Sequence, residues 1–202
     1  MRLIPTATAV RTRRRQGTIA LAATMMLAIA GLAGSTATAA AASTKAKAPA
    51  TTYTAAQKKA LQAEVTKHLN DYGRGTQVGI NEISWDGGRT ILTLPLPGET
   101  KARAVGEPVA ALAAANCAFA YACLWSDTNF TGSRLSRTDC EEIVLAAPYK
   151  TSTASIHNNQ TSGTQTMVLN SAHDILNSTL APSRVNDTGV ASRGLARYWK
   201  VC

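Results

Sequence analysis

The placement of the cysteines is the feature that most restricts what this chain can fold into. All four, Cys117, Cys123, Cys140 and Cys202, lie between residue 117 and the end of the 202-residue chain. An even number of cysteines gathered in one region is typical of a disulfide framework in an exported protein. The short separation of Cys117 and Cys123 favours a small closed loop and leaves Cys140 for Cys202, although the sequence alone allows other pairings. A zinc site is disfavoured because Cys-x-x-Cys spacing and nearby histidines are missing.

The N-terminus has the three parts of an export signal. Arg11 and Arg13–Arg15 precede an apolar run over 18–33, and Ala37-Thr38-Ala39 has the small-x-small pattern of a cleavage site. We therefore predict a signal peptide over 1–42 and a secreted protein with no membrane attachment after its removal. The alternative is a permanent anchor, but the run is shorter than the roughly 20 apolar residues that span a bilayer.

The distribution of charge argues against a nucleic-acid partner. The formal net charge is +9, but residues 1–42 carry five arginines and no acidic residue. From Cys117 onward the chain has 7 basic and 6 acidic residues. A nucleic-acid binder concentrates its cations on the folded surface, whereas this chain concentrates them in the predicted signal.

A helix and a hairpin are predicted between the signal and the first cysteine. After a linker over 43–53, Thr54-Ala55-Ala56-Gln57 matches a capping box, and an apolar stripe of leucine and valine at four-residue spacing predicts a helix from about 55 to 70. Thr76 to Trp85 and Arg89 to Leu96 are β-prone, and Asp86-Gly87-Gly88 between them predicts a hairpin turn. Ile80 and Ile83 fall on opposite faces of the first strand, which a bulge would reconcile.

The role of this helix-hairpin segment, residues 54–97, is open at this point. It makes a thin core alone, so it either packs on the C-terminal domain or is a removable pro-segment. Residues 98–116 look like a second linker, and Lys101-Ala102-Arg103 within it is a candidate processing point.

From Cys117 onward, short β-prone stretches alternate with turns rich in Asn, Gly, Ser and Thr, a pattern that predicts an antiparallel sandwich. The most informative stretch contains Trp125, Phe130 and Gly132. An aromatic that ends a strand, four turn residues, a second aromatic and a glycine predict a folded-over hairpin. In it the two rings pack together and the glycine adopts a conformation that a side chain would block.

Trp125, Phe130 and Gly132 fit the aromatic-x-x-x-x-aromatic-x-Gly signature of βγ-crystallin Greek keys. With the flanking cysteines and the later strand over 155–159, the segment 117–160 resembles secreted actinobacterial metalloproteinase inhibitors built on one crystallin-like domain. The resemblance implies an all-β fold, a single βγ-crystallin-like Greek-key sandwich over 117–202. Ser136 falls about where the fold-stabilising serine of that family lies. The signature does not recur after Thr166, so the second key is expected to be degenerate.

The resemblance also implies a function. We expect a monomeric inhibitor of an extracellular peptidase, with no cofactor. Met167, Val168 and Leu169 are a candidate inhibitory loop, because metalloproteinases of the thermolysin kind favour an apolar residue after the scissile bond. The favoured alternative is that these three residues form a core strand.

Two other functions are weighed against inhibition. A structural module with vestigial calcium binding would use the oxygen-rich pattern of the crystallin family. Asn186 and Asp187 keep its first two positions and are weak candidates, and residues 158–162 fit it loosely but one strand late, so no metal is expected. Enzyme activity is disfavoured because no nucleophile elbow, zinc-protease motif or phosphate loop is present. Of the three histidines, His68 is expected at the surface or boundary of the helix, His157 in a strand and His173 in a polar loop.

Overall fold

The computed structural model describes residues 52–109, 115–189 and 193–202. Within these ranges eleven strands form two antiparallel sheets, so the prediction of an all-β fold is confirmed. The Greek-key connectivity stays a prediction. The signal peptide predicted over 1–42 lies outside the described residues. Among the residues described, no helix is long and apolar enough to cross a bilayer.

The elements follow one another in a simple order. They are α1 Ala55–Tyr72, β1 Thr76–Gly79, β2 Glu82–Trp85, β3 Thr90–Thr93, β4 Ala122–Asp127, β5 Thr131–Arg137, β6 Glu142–Val144, α2 Tyr149–Ser152, β7 Ser155–Asn158, β8 Gln165–Leu169, β9 Ile175–Leu180, β10 Ser183–Val185 and β11 Tyr198–Val201. The larger sheet has the strand order β1-β2-β3-β5-β4-β7-β10, and the smaller has the order β6-β11-β8-β9. One buried cluster contains Leu92, Leu124 and Ile156 of the larger sheet with Val168 and Trp199 of the smaller, so the two sheets share a core.

The helix α1 begins at the predicted capping box. The Thr54 hydroxyl accepts a hydrogen bond from the backbone N–H of Gln57 at 3.2 Å, and the Gln57 side chain accepts one from the backbone N–H of Thr54 at 2.9 Å. Leu61 and Val65 are buried in the shared core. His68, expected at the surface or boundary, is buried as well. Burial and the neighbouring charge of Lys67 lower the pKa of His68.

The predicted first strand over 76–85 is two strands. The chain turns between β1 and β2 at Ile80 and Asn81, so the break in alternation between Ile80 and Ile83 marks a turn. A register irregularity does occur, but earlier, between Gln77 and Gly79 of β1. The fully buried Asn81 explains the turn, because its side-chain amide donates to the carbonyls of Leu94 at 2.6 Å and Arg103 at 2.8 Å. This link joins residues far apart in sequence, which is why the local pattern did not show it.

The N-terminal hairpin is part of the larger sheet. Strand β3 pairs with β5 along its whole length, from Thr90 opposite Arg137 to Thr93 opposite Arg134. Leu92 is fully buried and lies in the shared core. Residues 54–97 therefore pack on the C-terminal domain. Their removal as a pro-segment stays a prediction.

The candidate processing point at 101–103 is packed against the domain. Ala102 is fully buried, and its N–H donates to the carbonyl of Gly132 at 3.1 Å. The Arg103 guanidinium, also buried, lies 2.6 Å from a carboxylate oxygen of Glu99 and donates to the carbonyl of Glu107 at 2.9 Å. Residues 101–103 are therefore folded and largely buried, so a processing peptidase would have to unfold this segment before cleaving it.

Candidate functional site

The turn between β4 and β5 folds back over the strand. Trp125 is fully buried, and its ring lies 5.2 Å from that of Phe130, edge to face with an interplanar angle of 77°. Asn129 and Phe130 both have positive φ, at 56° and 59°, which turns the chain sharply enough to bring the phenyl ring back. The edge-to-face contact contributes about 0.5–1.5 kcal/mol beyond simple burial.

Gly132 is required at its position by space as well as by backbone conformation. Its φ is 74°, in the region that favours glycine. A Cβ atom there would lie 2.0 Å from the Ser126 hydroxyl and 2.2 Å from a carboxylate oxygen of Asp127. The Ser126 hydroxyl also accepts a hydrogen bond from the backbone N–H of Ser133 at 3.0 Å, so moving it has its own cost.

The serine that ties the turn to the sheet is Ser155. Its hydroxyl accepts a hydrogen bond from the backbone N–H of Phe130 at 3.0 Å and donates one to the carbonyl of Asp127 at 2.7 Å. Ser136, the serine singled out in the sequence, lies away from the turn with its hydroxyl 3.4 Å from the sulfur of Cys123. The sequence offered one clue to Ser155, which is that it begins a recognisable strand. In the structure this strand, β7, places Ser155 opposite Trp125.

The domain contains two disulfides, one at its start and one that includes its last residue. Cys117 is bonded to Cys123, here called the loop disulfide, and Cys140 to Cys202, called the terminal disulfide. This is the pairing that the spacing favoured. The terminal disulfide attaches the last residue, just after β11, to the segment that leads into β6, so it holds the C-terminus in the smaller sheet.

The loop disulfide encloses a short, strongly held segment, residues 117–123, which we call the disulfide loop. The N–H of Tyr121 donates to the carbonyl of Ala118 at 3.2 Å, which makes a β-turn in which Ala120 has a φ of 72°. Asn159 holds the loop from outside. Its carbonyl accepts from the N–H of Ala120 and its N–H donates to the carbonyl of Tyr121, both at 3.0 Å, while its amide donates to the carbonyl of Cys117 at 2.9 Å.

The candidate inhibitory loop at 167–169 is a strand. Met167, Val168 and Leu169 belong to β8, which is paired on one side with β11 and on the other with β9. Val168 is fully buried and Leu169 nearly so. Because these residues supply backbone hydrogen bonds and core packing, the interpretation of this segment as a core strand is correct and its interpretation as a loop is wrong.

The weak metal candidates are engaged with protein partners. The Asp187 carboxylate accepts hydrogen bonds from the N–H of Gly189 at 2.8 Å and from the guanidinium of Arg193 at 3.0 Å. The Asn186 carbonyl accepts from the N–H of Asn129 at 2.8 Å, so this residue supports the folded turn. In the part of the chain that the structure describes, no group of three or more His, Cys, Asp or Glu side chains could hold a metal ion.

The three histidines lie in different elements. His157 is buried in β7, as its predicted strand suggested, and both burial and the charge of Arg184 lower its pKa. The exposed His173 stacks on the ring of Tyr198 at 4.3 Å, and its Nε2 lies 3.1 Å from the carboxylate of Glu142. Burial in a strand accounts for His157, and the contacts with Tyr198 and Glu142 account for His173.

Comparison with known proteins identifies the part of the chain that carries these features. Residues 110–167 match the model of peptidase inhibitor family I36. This segment is therefore similar to peptidase inhibitor family I36. It contains the flanking cysteines, the folded turn and the strand over 155–159, which are the features that underlay the resemblance to secreted inhibitors. Because the family is one of inhibitors, this match supports the prediction of a non-enzymatic peptidase inhibitor. No curated protein and no solved structure matches the chain.

Proposed function

We propose that this protein is a secreted inhibitor that blocks an extracellular metalloproteinase. The observation that carries the proposal is the family I36 match over residues 110–167, which supports peptidase inhibition as the general function. The metalloproteinase class rests on the resemblance of residues 117–160 to secreted inhibitors of such enzymes. Secretion is supported by the predicted signal and by two disulfides, since such bonds persist in oxidising compartments.

Rigidity is the physical property that makes this scaffold suited to inhibition. A flexible ligand loses about 0.5–1.5 kcal/mol of entropy for each side chain that binding immobilises, besides the cost of ordering its backbone. Here the disulfide loop is closed covalently and bonded to Asn159, and the neighbouring turn is held by Ser155. Most of the ordering cost therefore falls on folding, and more of the contact energy remains for the complex.

We expect the inhibitor to act as a monomer against one extracellular peptidase, with no cofactor, and without binding nucleic acid or a membrane. Calcium binding is the alternative considered for a crystallin-like module. The pairing of the Asp187 carboxylate with Arg193 argues against it, because a calcium ion would have to replace that contact.

The experiment is a titration of the secreted, oxidised protein against three purified peptidases: a thermolysin-like metalloproteinase, a subtilisin-like serine peptidase and a trypsin-like serine peptidase. The proposal expects stoichiometric loss of the metalloproteinase activity and little effect on the other two. Reduced and alkylated protein is the control and should not inhibit. Inhibition of a serine peptidase alone would contradict the metalloproteinase assignment, and no inhibition across a wider panel would contradict the function.

A further inference from the structure

We propose that Phe119, at the tip of the disulfide loop, is the side chain that enters the apolar pocket of the target peptidase and determines specificity. The inference rests on the proposed function, because it names the contact through which that function would act. It follows from the exposure of this ring, the rigidity of its support and the chemistry of its surroundings.

The ring of Phe119 belongs to neither of the buried hydrophobic clusters of the described residues. The chain has two phenylalanines; Phe130 packs on Trp125, whereas Phe119 is 72% exposed. A phenyl ring left in water forgoes the favourable free energy of burial that otherwise drives such side chains into a core. At the tip of a loop in an inhibitor, that free energy is available to a partner.

The backbone that carries Phe119 is held by several hydrogen bonds, and the side chains on either side of it are small. Phe119 and Ala120 are the two central residues of the β-turn, and Asn159 bonds to the backbone on both sides of the tip. Ala118 and Ala120 are exposed beside the ring and present only methyl groups. The phenyl ring therefore projects from a thin, preorganised edge that can enter a cleft with little rearrangement.

The side of the tip that faces Asn159 is polar and uncharged, whereas the cavity on the side of Ala118 and Tyr121 includes Glu82, Glu107 and Arg134. Ala120 lines a shallow cavity of about 380 Å³ together with Gln160 and Thr161. The neighbouring residues 161–163, Thr-Ser-Gly, are exposed as well. Neither residues 117–123 nor residues 158–164 contain an acidic or basic side chain. An apolar side chain surrounded by polar groups is the usual arrangement at a protein interface. Because these two segments contain no lysine or arginine, a target peptidase whose pocket requires one of those side chains is disfavoured.

The test compares inhibition constants for the metalloproteinase that the wild-type protein inhibits. Phe119→Ala is expected to raise Ki at least about 30-fold, as for a hot-spot residue. Phe119→Leu, which keeps an apolar side chain, is expected to stay within about fivefold of wild type, and Phe119→Asp to weaken inhibition at least as much as alanine does. Ile175→Ala, at another exposed apolar residue (58%) in β9, is the matched control and should stay within about twofold.

The outcomes separate the two proposals. Because Phe119 is exposed, all variants should keep the wild-type thermal unfolding temperature, and this measurement shows that a change in Ki is a change at the interface. If Phe119→Ala inhibits within about threefold of wild type, this inference is wrong and the proposed function stands. If the wild-type protein inhibits no peptidase, the proposed function fails and the role of Phe119 fails with it.

Discussion

Replacement of Gly132 by alanine tests the packing of the folded turn directly. The residue has a φ of 74°, and the left-handed region costs a residue with a Cβ about 1–2 kcal/mol. The new Cβ would also lie 2.0 Å from the Ser126 hydroxyl, so that hydroxyl must move. Its movement leaves the buried N–H of Ser133 without its acceptor, which costs a further 1–3 kcal/mol or so. The expected loss in the free energy of unfolding is therefore about 2–5 kcal/mol.

The measurement is urea unfolding of the oxidised protein, followed by tryptophan fluorescence. The matched control is Gly163→Ala. Gly163 also has a positive φ, of 94°, but apart from its two chain neighbours no residue has an atom within 4 Å of the position that its Cβ would occupy. The control should lose only the backbone component, about 1–2 kcal/mol. Equal losses for the two variants would refute the argument from space and leave only the argument from backbone conformation.

Four further predictions concern the contacts that hold the domain together. Ser155→Ala should lower the free energy of unfolding by about 1–3 kcal/mol because two hydrogen bonds to the turn are lost, whereas Ser136→Ala should cost less than about 1 kcal/mol; equal costs would return the tying role to Ser136. Replacing both cysteines of the terminal disulfide, which spans 62 residues, by alanine should lower the free energy of unfolding by about 4 kcal/mol, and the same change at the loop disulfide, which spans 6, should lower it by about 2 kcal/mol. The reverse order would show that the entropy of loop closure does not dominate. Limited trypsin digestion should leave the bond after Arg103 intact in the folded protein and cut it faster in Glu99→Ala, which removes the ion pair; rapid cleavage of the wild type there would contradict the packing of this segment. Because the pKa of His68 is lowered, the neutral imidazole contributes its full stability above pH 6.5, the ordinary pKa of histidine, and this contribution is lost as the pH falls from there through the lowered pKa. Unfolding measured at several pH values should therefore show a weaker acid dependence in His68→Leu, and an unchanged dependence would be evidence against a buried neutral imidazole.

The sequence alone determined the features that depend on neighbours along the chain. The capping box of α1 needs only the spacing of Thr54 and Gln57, and the folded turn needs only the order of Trp125, Phe130 and Gly132. The disulfide pairing in the structure is the one that the short separation of the first two cysteines favoured. Such patterns are readable because the interacting groups are fixed within a few residues of one another.

The tertiary structure decided what depends on residues that meet across the fold. A break in alternation could not distinguish a bulge from the turn that Asn81 stabilises through Leu94 and Arg103. Likewise, which serine reaches the turn depends on the pairing of β7 with β4, which no local pattern specifies. The exposure of Phe119 is also decided by the tertiary structure. The local sequence does not show whether Phe119 or Phe130 is the phenylalanine that packs against buried residues. Side-chain partners at long sequence separation are set by strand register and sheet packing, and only the folded chain fixes these.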